Sequence, residues 1–168
     1  LYKWNPATGA LTVNTSISPL TSGTLYNQME GYVLSVQNIG NATNPNYRLI
    51  NWTTKGTSTN FASRIISNTT YARSSMISAA NVDWNVMIGA TVTNYMTGGI
   101  STNTTIQGFD VLTGQSLWNQ TIQEPLFSGS ACVADHGKIV IITTRGYGYA
   151  FDLRTGSLAW KTEQFDYP

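Results

Sequence analysis

Phe109-Asp110-Val111-Leu112-Thr113-Gly114-Gln115-Ser116-Leu117-Trp118 returns, from residue 109 to residue 151, as Phe151-Asp152-Leu153-Arg154-Thr155-Gly156-Ser157-Leu158-Ala159-Trp160. The first residues carry a third copy, Trp4-Asn5-Pro6-Ala7-Thr8-Gly9-Ala10-Leu11. Self-similarity at a period near forty marks an array of small units in place of one irregular domain. The two later copies have the chemistry of a hairpin corner: an Asp whose carboxylate can accept backbone N–H bonds, then Thr-Gly at the turn. Asp110 and Asp152 are therefore expected to cap turns, not to act as catalysts.

The segment after each corner ends on Trp118 or Trp160 at the same offset, which points to packing between neighbouring units. Upstream of the last copy the pattern is strand-like. Ser128 to Asp135 is short and small, His136-Gly137 is a tight turn, and Lys138 to Thr144 is a β-branched run. Arg145-Gly146 turns again, Tyr147 to Leu153 is a third strand, and Ser157 to Glu163 a fourth. The copy before it reads alike, with strands at Asn85 to Asn94, Thr105 to Val111 and Gln115 to Ile122. Between the first two of these, Tyr95 to Thr104 reads as a polar loop insertion. Gly31 to Gln37 and Tyr47 to Thr53 pair further back, with Lys55-Gly56 in the Thr-Gly position of a degenerate copy. No helical period interrupts the chain.

The expected fold is all-β: a β-propeller of four-stranded antiparallel blades, about four of them present out of seven or eight. Residues 1–30 are the end of one blade and the inner strand of the next, 31–75 the second blade, 76–125 the third and 126–168 the fourth.

Composition narrows the function. Charged residues are 10% of the 168 against 41% hydrophobic, and the formal net charge is +1. An average soluble domain carries roughly 25% charged residues, and nucleic-acid binding needs a basic footprint that is missing here. The longest apolar runs are strand-sized, so no membrane span is present in this segment. The single Cys132 permits no internal disulfide and reads as a small core residue. His136 sits in a hairpin turn, where it is solvated and not a catalytic base. Gly146-Tyr147-Gly148 joins two strands, so it is no phosphate cradle. Six Asn-X-Ser/Thr sequons stand at Asn14, Asn41, Asn51, Asn68, Asn103 and Asn119. With the Asn, Ser and Thr-rich surface they point to a glycosylated protein outside the cell or at its surface.

The phrase Ala150-Phe151-Asp152-Leu153-Arg154-Thr155-Gly156-Ser157-Leu158-Ala159-Trp160 resembles the repeat of pyrroloquinoline-quinone-like (PQQ-like) β-propellers. Phe109 to Trp118 matches it well, Leu1 to Leu11 in part and Trp52 to Gly56 weakly. The sequons and low charge resemble archaeal cell-surface members. The resemblance implies either a non-catalytic binding or scaffold protein or a piece of a quinoprotein dehydrogenase. The latter would hold PQQ and calcium near a vicinal cysteine pair, which this chain lacks. The first reading expects no cofactor. A third alternative is a subunit of a surface filament or lattice, formed by self-assembly. In a propeller the loops between second and third strands share a face with the blade connections. Arg73, Arg145, Tyr147 and Tyr167 are the residues there best suited to hold a protein or glycan partner.

Overall fold

The structure is a computed structural model describing residues 2–14, 24–27, 31–41, 43–56, 58, 60, 62–71, 80–97, 100–126 and 132–165. The chain forms two compact units, Leu1–Ser75 and Met76–Pro168.

In the first unit, β1 (Tyr2–Trp4) and β2 (Leu11–Asn14) pair antiparallel. They are followed by a four-stranded sheet of β3 (Thr24–Asn27), β4 (Tyr32–Asn38), β5 (Tyr47–Thr53) and β6 (Ile65–Thr70). The second unit has two such sheets. One is β7 (Ala80–Asp83), β8 (Ile88–Thr97), β9 (Ile100–Asp110) and β10 (Ser116–Ile122); the other is β11 (Cys132–Asp135), β12 (Lys138–Ile142), β13 (Gly148–Asp152) and β14 (Leu158–Lys161). In every four-stranded sheet the spatial order is the sequence order, and every pairing is antiparallel. Among the described residues the one helical turn is the short 3-10 segment Ala62–Arg64.

Strands buried on both faces read as continuous apolar runs, as Gly148 to Phe151 of β13 do, whereas β12 (Lys-Ile-Val-Ile-Ile) buries Ile139 and Ile141 and leaves Ile142 exposed. The core of the second unit lies between its two sheets. Ile88, Ala90, Val92 and Ile106 of one face Ile139, Ile141, Tyr149, Phe151 and Leu153 of the other, with Leu126 from the connection. In the first unit Val33, Ile50 and Trp52 form a smaller cluster with Ile65 against them.

The repeated corner has one geometry. Asp152 Oδ1 accepts the amides of Arg154 and Thr155 at 2.9 Å each, and Asp110 Oδ1 those of Leu112 and Thr113 at 2.9 and 2.7 Å. Asn5 does the same for Ala7 and Thr8, at 2.9 and 3.3 Å. Each Gly then donates its N–H back to the carbonyl of its Asp or Asn at 2.8 Å. Gly9, Gly114 and Gly156 have φ of 68°, 71° and 71°, a region costly to side chains with a Cβ.

Two sequence expectations change. Of Tyr95 to Thr104, Tyr95 to Thr97 and Ile100 to Thr104 are strand and not loop. β8 and β9 stay paired through Tyr95↔Asn103 to Thr97↔Ile100, with one irregularity between Tyr95 and Met96. Threonine is a good β former, so a polar run of this kind can extend a strand as readily as it forms a loop. In the degenerate corner the register is shifted by one. Thr54 N–H donates to Gly31 O, as Val111 does to Met87 O and Leu153 to Gly137 O. Thr53 therefore stands in the Asp place, and its hydroxyl accepts Lys55 N–H at 3.0 Å. Gly56 (φ 87°) falls where the other copies carry Thr.

Two devices lock the β7–β10 sheet to the β11–β14 sheet. Trp118 lies across the next corner and donates Nε1–H to Leu153 O at 2.7 Å. A Cβ on Gly156 would stand 2.5 Å from that ring, so the seat needs glycine. At the inner strand, buried Asp83 accepts Asn85 N–H of its own turn at 2.9 Å with one oxygen. The other oxygen accepts Gly137 N–H of the next sheet at 2.6 Å.

Candidate functional site

The connection from β10 to β11 carries a polar cluster around Glu124. Glu124 sits in it with its side chain 12% exposed. Its carboxylate accepts the Tyr149 hydroxyl at 2.7 Å and the Thr143 hydroxyl at 2.8 Å, and lies 3.6 Å from Lys161 Nζ. Its backbone carbonyl accepts the Thr104 hydroxyl at 2.8 Å. Lys161 Nζ stands over the rings of Tyr147 and Tyr149, at 4.0 and 4.8 Å from their centroids. Those two rings meet edge to face. Alternation along β13 and its approach puts both tyrosines and Phe151 on one face, with Lys161 reaching them from the neighbouring strand.

The protonation states here are held in their ordinary charged or neutral forms. Burial pushes the Glu124 carboxyl up, but the Tyr149 and Thr143 hydroxyls, then Lys161 and Arg145, outweigh it and hold it below the usual carboxylate range. Burial first, and then the bond to Glu124, pushes the Tyr149 hydroxyl up. The Tyr149 hydroxyl, with the charges around it, pushes the Lys161 ammonium up. A general acid needs a raised carboxyl, and a nucleophilic lysine or tyrosine a lowered one. All three groups move the other way, so the cluster favours a charged carboxylate and ammonium beside a neutral hydroxyl.

Two of the loop residues singled out in the sequence come together at its rim. Tyr147 is half-buried against the core and donates its hydroxyl to Gln164 at 3.3 Å. Arg145 is exposed at the tip of the β12–β13 turn, and its carbonyl accepts Gln164 Nε2 at 2.9 Å. Arg73 and Tyr167 lie outside the described residues. Glu124 and Lys161 were not singled out in the sequence. A lone Glu between two strands has no motif, and only the fold brings Lys161 to it.

The sequons are scattered. Asn41, in a loop where its Oδ1 accepts Thr43 and Asn44 N–H, is exposed, as are Asn68 on β6 and Asn119 on the outer strand β10. Asn103 is half-buried, and the side chain of Asn14 lies outside the described residues. Asn51 differs from the expectation. It is fully buried in β5 between Leu34 and Ser67, and no described residue bonds either amide atom. A glycan needs solvent, so this sequon is closed in the folded chain.

Cys132 is half-buried and accepts a hydrogen bond from Asn81 Nδ2 at 2.8 Å, and burial pushes its thiol up. His136 is 90% exposed in its turn and pairs with Asp135 at 2.9 Å. A calcium–quinone site needs converging carboxylates. Here Asp83, Asp110 and Asp152 accept turn amides, and no three His, Cys, Asp or Glu side chains converge among the described residues.

The solved structure of BamB from Moraxella catarrhalis is similar over 88% of this chain and 34% of that chain, at 15% identity and a TM-score of 0.40. The computationally designed protein Ika8 is similar over 96% of this chain and 68% of its own, at 12% identity and a TM-score of 0.31. This chain thus spans about a third of the length of that BamB. No curated protein matches it. A family model described as outer membrane protein assembly factor BamB matches residues 76–166, more than half of the 168. With its repeated Asp-X-X-Thr-Gly corner and its four-stranded antiparallel sheets, the chain belongs to this family of PQQ-like repeat β-propellers.

Proposed function

We propose that this chain is part of a non-catalytic propeller displayed outside the cell, which holds another protein at the loop face around Arg145 and Tyr147. The observation that carries the reading is the Glu124 cluster. It fixes the β12–β13 turn from below, with protonation states moved away from acid–base work, and leaves an Arg and a Tyr at the rim. Arg and Tyr are enriched where partners anchor, and anchors work best on rigid supports. The family model's description as an assembly factor agrees with a scaffold role. Display outside the cell, in an archaeal surface protein, is supported by the sequons whose side chains are exposed, Asn41, Asn68 and Asn119.

The test is chemical cross-linking on native cells, with wild type beside Arg145→Glu and Tyr147→Ala and intact-mass analysis of the recovered protein. A defined partner lost from both variants, on a protein carrying glycan mass, is the expected result. Cross-links unchanged by either variant overturn the loop-face reading. An unmodified mass overturns the glycosylated one. Dye-linked alcohol oxidation on adding PQQ and calcium replaces both with the dehydrogenase.

A further inference from the structure

The sequons lie on different sheets, yet three of them fall on one place in the repeat. Each outer strand begins with a register irregularity, and the pairing beyond it aligns the copies. The place is held by Asn14 on β2, Asn68 on β6, Asn119 on β10 and Lys161 on β14. Their cross-strand partners are Tyr2, Ile50, Gln107 and Tyr149, each at the same distance before Asn5, Thr53, Asp110 or Asp152. Asn68 follows the 3-10 turn, farther from its corner than the others, so only the pairing shows that it belongs with them. Asn51 and Asn103, on the third strands β5 and β9, and Asn41, in a loop, hold no such place.

The place suits a bulky hydrophilic addition. Asn68 and Asn119 are exposed there, as is Lys161. Arg48 Nε donates to Asn68 Oδ1 at 2.8 Å, and Arg48 Nη1 to the hydroxyl of Thr70, the last residue of that sequon, at 3.2 Å. The amide oxygen is thus tied to the sheet, and Nδ2, the atom a sugar joins, has no partner among the described residues. Each of β2, β6, β10 and β14 ends the strand order of its sheet. Their outer rims are open edges, which a covering group or a charge shields from pairing with another strand. The β11–β14 sheet has the charge. Lys161 Nζ lies 4.0 Å from the centroid of the Tyr147 ring and 3.6 Å from Glu124. A glycan in its place would stand against Tyr147.

We propose that this register place is the repeat's attachment point for an N-linked oligosaccharide. It is filled at Asn14, Asn68 and Asn119 and withheld at Lys161, so that the sheet presenting Arg145 and Tyr147 keeps its partner face bare. The inference rests on the reading of a glycosylated protein with a partner at that face. The donor is an oligosaccharide linked through phosphate to a lipid. The bond from its anomeric carbon to Asn Nδ2 forms as the bond to the phosphate oxygen breaks, and the amide gives up one proton.

Site-resolved glycopeptide mapping of the full chain from its native host tests this. The expected result is glycan on Asn14, Asn68 and Asn119 in most molecules. Any of the three bare on a chain that carries glycan elsewhere overturns the inference and leaves the glycosylated reading standing. A chain bare at every site removes both. The withheld place is tested by Lys161→Asn with Glu163→Thr, which completes a sequon there. Its control is Lys161→Asn with Glu163→Val, which loses the same lysine and completes none. Glycan on the first variant, with several-fold fewer partner cross-links than on the second, is the expected result. Equal cross-linking of the two overturns the inference, and so does a first variant that takes no glycan.

Discussion

The corner after β9 or β13 and the corner after β5 do one job with opposite chemistry. In the first kind a carboxylate gathers amides, from Leu112 and Thr113 to Asp110 and from Arg154 and Thr155 to Asp152. The corner Gly amide then returns to the Asp carbonyl. After β5 there is no carboxylate. The buried Arg64 comes back from the 3-10 turn and gathers carbonyls instead, of Thr53, Lys55, Gly56 and Ser58, at 2.7–3.3 Å. Its Nη1 reaches the carbonyl of Thr53, which the corner Gly serves in the other copies. A tight corner leaves both amides and carbonyls unpaired, and either set can be satisfied by one charged side chain. The difference is range. The Asp cap is written inside the corner, whereas the Arg cap arrives from residues later and requires the intervening loop to fold with it.

The sharpest way to break the comparison is to remove the distant cap. Arg64→Met strips four carbonyls of one buried donor and should lower the stability of the first unit by about 3 kcal/mol. Urea unfolding followed in that unit would show it, and a midpoint unchanged within error would refute the role. Next comes the seat under Trp118. Gly156→Ala combines a left-handed φ with a ring 2.5 Å from the new Cβ, while Gly9→Ala meets nothing within 4 Å. The first should cost about 3 kcal/mol and the second about 1 kcal/mol, because only the backbone term is common to both. Equal losses would mean that the indole moves aside freely.

The smallest effect is that of the local caps. Asp152→Ala should cost about 1 kcal/mol and Thr53→Val less, since a hydroxyl accepts more weakly than a carboxylate. The Asp152 cap also carries a pH signature. The amide of Thr155 leads the bonds that hold its carboxyl below the ordinary value of 3.8. A lowered folded value means stability present above the unfolded value and lost as pH falls through the folded one. The advantage of wild type over Asp152→Asn should therefore be flat at neutral pH and shrink only below about pH 4. An advantage that shrinks on raising the pH would contradict the cap.

What could be read from the sequence was what lies within a few residues of its cause. The corner phrase names its own hydrogen bonds, so the caps at Asp110 and Asp152 and the strands beside them were legible. The packing role of Trp118 followed from its fixed offset. The ribbon from Asn94 to Thr104 was misread because threonine and asparagine serve loops and exposed strands alike, and only the partner strand decides. Arg64 and Glu124 were not legible for the same reason in stronger form: each acts on groups brought near by the fold. The one-residue shift at Gly56 was hidden because a glycine in the right neighbourhood imitates the motif. Asn51 shows the limit of a tripeptide rule, since a sequon states acceptor chemistry and says nothing of burial.

The strictly consecutive strand order of the sheets has a consequence in time. Every strand pairs only with the one made just before or just after it. The sheet from β3 to β6 is closed by residues 24 to 70. At a synthesis rate of roughly 5–20 residues per second, such a sheet is completed within about 2–9 s of the appearance of its first strand. Short-range pairing of this kind avoids the long loop closures that slow β proteins. The Trp118 seat, by contrast, joins residue 118 to the corner ending at 156, so it can form only after the following sheet has emerged. Chain growth thus separates the making of each sheet from its locking. During that interval a newly finished sheet presents one naked apolar face, which makes ribosomal pausing between repeats the moment of greatest exposure to aggregation.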